Sequence, residues 1–340
     1  MLQFQSDYLE GCHPAILDAL SKNNFVQTPG YGKDDFCARA KKKILQACGI
    51  QNREVFFLSG GTQANATVID GLLNHWQGVL CAETGHIETH EAGAIEASGH
   101  KVITLPQHNG KLLARDVDTW IENFFAGENH EHEVEAGAVY ISHPSEYGTI
   151  YTKAELENLS AVCKKHRIPL FMDGARLGYA LAANGNDVDL KTIAKLCDVF
   201  YIGGTKVGAL FGEAVVMKKN LIPHFFTLVK KHGALLAKGR VLGLQFETLF
   251  TNNLYVEIAK SAVREALFLK KEMQKKGYKT FIASPTNQQF FIVENKKLKA
   301  IEKKVGFEKW QVFDKNKTVI RLATSWATRH DDVARLLNYF

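Results

Sequence analysis

Lys206 closes the stretch Val199-Phe-Tyr-Ile-Gly-Gly-Thr-Lys206, a short apolar run of β-branched and aromatic residues. Such a run reads as a buried strand, here ending on two glycines. A lysine held in an apolar pocket beside another cation loses proton affinity and becomes a nucleophile toward carbonyl carbon. Taken alone, the plainer reading is a stem lying along apolar surface with its ammonium in solvent. A second stretch shifts that balance. Leu170-Phe-Met-Asp173 is another apolar strand, ending in an aspartate that a small-residue turn carries on to Arg176. Asp173 precedes Lys206 by 33 residues. Pyridoxal phosphate asks two things of its protein: a lysine for a Schiff base, and an acid that keeps the ring nitrogen protonated as an electron sink. Two strand ends carrying Asp173 and Lys206 supply that pair.

Asp173-Gly-Ala-Arg176 and Gly203-Gly-Thr-Lys206 are joined by Ser59-Gly-Gly-Thr62 and Ile320-Arg321-Leu-Ala-Thr324. In this order and spacing, from Ser6 to about Asp332, the chain resembles the low-specificity threonine aldolases. These form part of the β-eliminating-lyase branch of the aspartate-aminotransferase fold, fold type I. The resemblance implies an α/β protein, with a mostly parallel, doubly wound sheet in a large domain and a small C-terminal α+β domain. It implies pyridoxal 5'-phosphate as cofactor and a β-hydroxy-α-amino acid as substrate, L-threonine or L-allo-threonine yielding glycine and acetaldehyde. It also implies a homotetramer or dimer with sites at subunit boundaries.

Several residues take their expected roles from this resemblance. Ser6 in an N-terminal arm helps hold the substrate carboxylate, although Gln5 stands where an arginine is usual. Tyr31 belongs to a Tyr-Gly that reaches a neighbouring subunit's site. Gly60, Gly61 and Thr62 open a helix after the strand Val55–Leu58, and backbone N–H groups at a helix N-terminus are a natural seat for phosphate. The usual Ser-Gly-Thr is Gly-Gly-Thr here, so one hydroxyl is missing. His86 would stack on the pyridine ring, and His143 matches a proposed base, with Pro144-Ser-Glu-Tyr replacing the usual flanks. Arg176 and Arg321 would grip the carboxylate, for which arginine's planar fork is suited. Lys238 and Arg240 are candidates for the phosphate. His90 and Glu91 read as surface or capping residues. The base that takes the β-hydroxyl proton is His86 or His143.

Alternation of strands and helices from 55 to 217 by itself argues for a parallel, doubly wound sheet. Functional groups at the carboxyl ends of its strands follow the general rule for such sheets. The expected division is an arm over 1–25, a cofactor-binding domain over 26–225 and a small domain over 226–340. The last opens with one long helical stretch from Phe225 to Phe250. A length of 340 residues accommodates two domains.

The net charge of +6 is spread without a basic block, and no nucleic-acid module accompanies it. Six cysteines show no CxxC spacing, so neither a disulfide framework nor a metal site is expected. His86 and His90 stand four apart, without an H-E-x-x-H pattern or an evident third ligand. No leader peptide and no membrane span are expected, which places the protein in the cytoplasm. Other chemistry remains open on the same residues: β-elimination, transamination, or carriage of the cofactor without turnover. Fold alone does not choose among them.

Overall fold

The computed structural model describes residues 1–340. A two-residue strand, β1 (Leu2–Gln3), lies in the N-terminal arm. The central sheet contains β2 (Arg53–Leu58), β3 (Gln77–Ala82), β4 (Lys101–Leu105), β5 (Glu135–Ser142), β6 (Leu170–Asp173), β7 (Val199–Gly203) and β8 (Glu213–Lys218). Their spatial order is β2-β8-β7-β6-β5-β3-β4. Only β8 runs against its neighbours, β2 and β7. The remaining pairs are parallel, as the alternation of strands and helices predicts.

Helices cover both faces, which is why β6 and β7 are continuous apolar runs rather than alternating ones. Successive side chains still point to opposite faces. Phe171 and Tyr201 join a layer with Val68, Tyr140 and Val215. Met172, Phe200 and Ile202 join the other layer, with Ile16, Ile44 and Tyr255. Local signals fix where the covering helices begin. Asp34 caps Asp35–Ala47 by accepting the Cys37 N–H at 2.9 Å. Thr152 and Glu155 form a capping box at Lys153–Lys165.

The expected helix over 225–250 is two helices, Phe225–Lys231 and Arg240–Leu249. Between them Gly233 adopts φ +69°, a backbone conformation that ends a helix. Arg240–Leu249 then packs on Asp35–Ala47. The hydrophobic core runs across position 226: Phe246, Leu249, Tyr255, Ile258 and Ala262 all join the large layer. A separate core begins further on, with Leu269, Met273, Phe291, Ile320, Leu322 and Val333, and it also takes in Phe4.

That second core underlies β9 (Lys279–Thr280), β10 (Gln288–Glu294), β12 (Glu308–Asp314) and β13 (Lys317–Ala323), an antiparallel sheet in the order β12-β13-β10-β9. The short β11 (Val305–Gly306) pairs in parallel with β1. The N-terminal arm is therefore held from both sides, by Phe4 in the small core and by Cys12 and Ile16 in the large one. No helix is long and apolar enough to cross a membrane.

Candidate active site

Register places the chemistry. β5 and β6 pair Ser142 with Asp173, so both stand at the carboxyl edge of the sheet, where β7 delivers Gly203 and the turn to Lys206. The two turns approach closely because they contain glycine. A Cβ on Gly174 would lie 2.0 Å from the Tyr201 carbonyl oxygen, and one on Gly203 2.3 Å from that of Ala175. Lys206, Asp173, Arg176, His86, Ser142 and Glu146 line one cleft, and Gly61 closes part of its wall.

Asp173 is held from several directions. The Tyr140 hydroxyl donates to Oδ2 at 2.6 Å, Asn65 Nδ2 donates to the same oxygen at 3.0 Å, and the Ala175 N–H donates to Oδ1 at 2.9 Å. Burial alone would raise its pKa. The charge of His86 and the Tyr140 hydrogen bond outweigh burial and hold the carboxyl below its ordinary value. Asp173 is thus a fixed anion, suited to face a protonated ring nitrogen.

Lys206 is half-buried, and its pKa falls to about 8, chiefly through loss of solvation and then through the nearby Arg176 cation. Its turn is pinned by Glu213, which accepts from the Gly204 N–H at 3.2 Å and the Thr205 hydroxyl at 2.9 Å. Tyr179 donates to the Lys206 carbonyl at 2.6 Å. A rigid turn and a partly neutral amine are what a carbonyl-capturing lysine requires.

His86 opens the short helix His86–Thr89, with its Nδ1 2.7 Å from Glu91 Oε1. Glu91 is not a surface residue: it is buried and also accepts from Asn65 Nδ2 at 2.7 Å. His90 stacks on His86 at 5.5 Å between ring centroids, and on Trp310 of β12 at 5.9 Å.

Arg176 is committed elsewhere in the site. Its Nε and Nη2 donate to Asp7 at 2.7 and 2.9 Å, and Asp7 also accepts from Asn287 Nδ2 at 2.8 Å. Only Nη1 is left without a protein partner. Arg321 donates from Nη1 to Gln288 Oε1 at 2.9 Å and from Nη2 to the Gln5 carbonyl at 3.1 Å, and it is ion-paired with Glu308. Its guanidinium lies over the Trp310 ring, and its Nε has no partner. Ser6 is buried beside these groups with its hydroxyl unpartnered. Orphaned polar atoms in a buried site call for a ligand.

Other expected residues lie differently. His143 is fully buried, pointing away from the cleft: its ring faces Tyr151, and its Nδ1 accepts the Tyr151 N–H at 3.3 Å. Burial and the Lys111 cation push its pKa down to about 4. Strand alternation explains the placement, since Tyr140 and Ser142 turn toward Asp173 and the next residue must turn away. Gly60 and Gly61 open the helix Gly61–Leu72, but the Thr62 side chain is exposed.

Tyr31 and Lys238 stand outside the cleft of their own chain. Tyr31 lines a separate groove with Phe226 and Leu235. Arg240 donates to the carbonyls of Asn23, Asn24 and Val26 in the arm. No cluster of side chains suits a metal ion.

The donor set fits pyridoxal phosphate. A lowered-pKa lysine and a fixed carboxylate meet in one cleft, a glycine helix N-terminus forms its wall, and unpartnered Ser6 and Arg321 groups await an anion.

Comparison with known proteins gives the same direction. A family model described as β-eliminating lyase matches residues 3–296. Low-specificity L-threonine aldolases of Pseudomonas sp. (strain NCIMB 10558) and Pseudomonas aeruginosa are each 32% identical, over 76% and 78% of this chain and 75% and 77% of their own. A threonine aldolase structure from Leishmania major superposes with a TM-score of 0.96 at 40% identity, covering 99% of this chain and 98% of that one.

Proposed function

The chain belongs to the β-eliminating-lyase family, and we propose from this that it is a pyridoxal-phosphate-dependent aldolase cleaving L-threonine or L-allo-threonine to glycine and acetaldehyde. The observation that carries the reading is Lys206 and Asp173 at adjacent strand ends in one cleft with His86. Bound pyridoxal phosphate supplies an electron sink for the pair left on the substrate α-carbon.

The chain's own residues do the rest. Lys206 would hold the cofactor through its amine, and Asp173 would keep a proton on the ring nitrogen. His86, its orientation fixed by Glu91, would cover the ring. The N-terminus of Gly61–Leu72 would receive the phosphate. Arg321 and the Ser6 hydroxyl take the substrate carboxylate, with Arg176 Nη1 alongside. Fixing that carboxylate selects which bond of the α-carbon is broken.

We place the protein in the cytoplasm as a homotetramer or dimer, in which Tyr31 reaches the partner's site. Supporting this are six unpaired, buried cysteines and the exposed apolar side chains Leu17, Phe25, Val26, Tyr31 and Phe226.

The test is the visible spectrum of the purified protein with cofactor, followed by addition of L-threonine and L-allo-threonine. Cofactor absorbance with acetaldehyde release is expected. Pyruvate and ammonia instead would move the function to elimination, and protein that never takes up cofactor would end the reading.

A further inference from the structure

The cleft contains a carboxyl group that none of the roles above uses. Glu146 follows β5 in the loop Pro144-Ser-Glu-Tyr and is buried, 9% exposed. Its Oε1 accepts twice, from the His86 N–H at 3.0 Å and from the Ser142 hydroxyl at 2.6 Å. Both donors sit on elements that also shape the site, the short helix of His86 and the end of β5. No hydrogen bond falls on Oε2, and the residue lines the cleft with Lys206 and Asp173. One oxygen is anchored and the other is free. That is the build of an aimed proton acceptor.

The other titratable groups of the cleft have different roles in the reading above. Asp173 is an anion saturated by donors, with its pKa held low. The Tyr201 hydroxyl has its pKa pushed up by burial and by Asp173, and it stays protonated. Lys206 would hold the cofactor and then give up its place to the substrate amine, so its amine is committed to that exchange. His86 would lie against the ring in the reading above, oriented through Nδ1 by Glu91, and His143 faces away. We propose that Glu146 is the base that takes the β-hydroxyl proton, an inference that rests on the aldolase reading above.

In this step Oε2 forms a bond to the hydroxyl proton, and the O–H electron pair becomes the second carbon–oxygen bond of the aldehyde. The Cα–Cβ bond breaks with its pair left on the α-carbon. That proton, or one exchanged with water, ends on the α-carbon as glycine, so no oxidant or other co-reactant is needed. Burial makes the carboxyl a better base by raising its pKa above the ordinary range. The groups facing it are His86, Asp173, the Cys81 thiol and the Tyr140, Tyr147 and Tyr151 hydroxyls. Among these only Asp173 is an anion, and it adds to the upward shift while His86 opposes it.

The test is Glu146→Gln in the holoenzyme. The amide oxygen keeps both contacts of Oε1, so the site keeps its shape. Expected is a fall in kcat for aldehyde release of about a hundredfold or more, with loss of the acidic limb of the kcat/KM pH profile. Cofactor absorbance and exchange of the glycine α-hydrogen with deuterated water should persist, because neither needs a hydroxyl base. A wild-type rate, or a slower enzyme that keeps its acidic limb, overturns the proposal while leaving the aldolase reading standing. Loss of glycine exchange together with cleavage also overturns it, since the variant then damages the site as a whole. A wild-type holoenzyme that releases no aldehyde overturns the aldolase reading and this proposal with it.

Discussion

Arg176 grips Asp7 with two parallel hydrogen bonds, Nε to Oδ2 at 2.7 Å and Nη2 to Oδ1 at 2.9 Å, and Asp7's side chain is wholly withdrawn from solvent. An arginine expected to bind substrate is thus largely spent on anchoring the N-terminal arm over the cleft. Arg176 Nη1 and Arg321 Nε are the guanidinium atoms left for a substrate carboxylate. Removing one partner of a buried pair strands the other charge, so Asp7→Asn should cost roughly 3–5 kcal/mol in urea unfolding. Burial opposes the ionised form of Asp7, but the Arg176 charge and hydrogen bonds prevail and hold its pKa low. Its contribution is therefore present above about pH 4 and is lost as pH falls through the folded-state value. The wild type should lose stability across that acidic window faster than Asp7→Asn does.

Lys206 has a pKa of about 8, so its neutral, nucleophilic fraction shrinks about tenfold for each pH unit below that value. Reloading of the apoprotein with cofactor, followed by absorbance, should slow in step as pH falls from 8 to 6. Lys206→Ala should bind cofactor without the covalent spectrum and should release no aldehyde. Full activity in that variant would remove the lysine from the reaction.

Glu308 occupies the guanidinium that the substrate needs. Arg321→Ala should lower kcat/KM by roughly 30-fold or more, mainly through KM. Glu308→Gln should lower KM a few-fold by removing an internal competitor. Steady-state kinetics on both variants decides the matter, and an unchanged KM in Arg321→Ala would take that residue out of the site.

His143 has a pKa of about 4 because it is buried and lies near Lys111. It is neutral wherever the folded protein works, and its ring faces away from the cleft. His143→Phe should leave kcat within a few-fold of wild type, whereas His86→Ala, which removes a positioning group from the cleft, should lose about a hundredfold. Because the folded pKa lies below the ordinary value of about 6.5, His143 contributes stability above that pH and loses it as pH drops toward 4. Thermal melts between pH 4 and 7 should show a shallower slope for His143→Phe.

The two strand ends were legible as a pair: a lysine closing an apolar run has an innocent reading by itself, an aspartate closing a second such run 33 residues earlier shifts it, and parallel topology collects such ends on one edge. Asn65, Tyr140, Glu91 and Glu146 were not legible. Each lies in a stretch whose local pattern is ordinary helix, core strand or polar loop, and only the tertiary fold buries them around Asp173 and His86. The sequence does carry one signal for His143: Tyr140 and Ser142 share the parity of a strand face, which sends His143 to the other side. The misplaced helix over 225–250 has a similar cause. Its apolar pattern continues through Gly233, whose positive φ ends the first helix.

The arm also bears on how the molecule is made. Asp7 meets Asn287 across 280 residues of sequence, and Gln5 meets Arg321 across 316. A ribosome releases residues 1–16 long before their partners exist, and such distant pairings are slow to find. Synthesis should therefore yield first a folded sheet that cannot yet grip an amino acid. The substrate pocket should be among the last parts of a nascent chain to mature, and an N-terminal fusion that restrains the arm should delay competence more than it delays solubility.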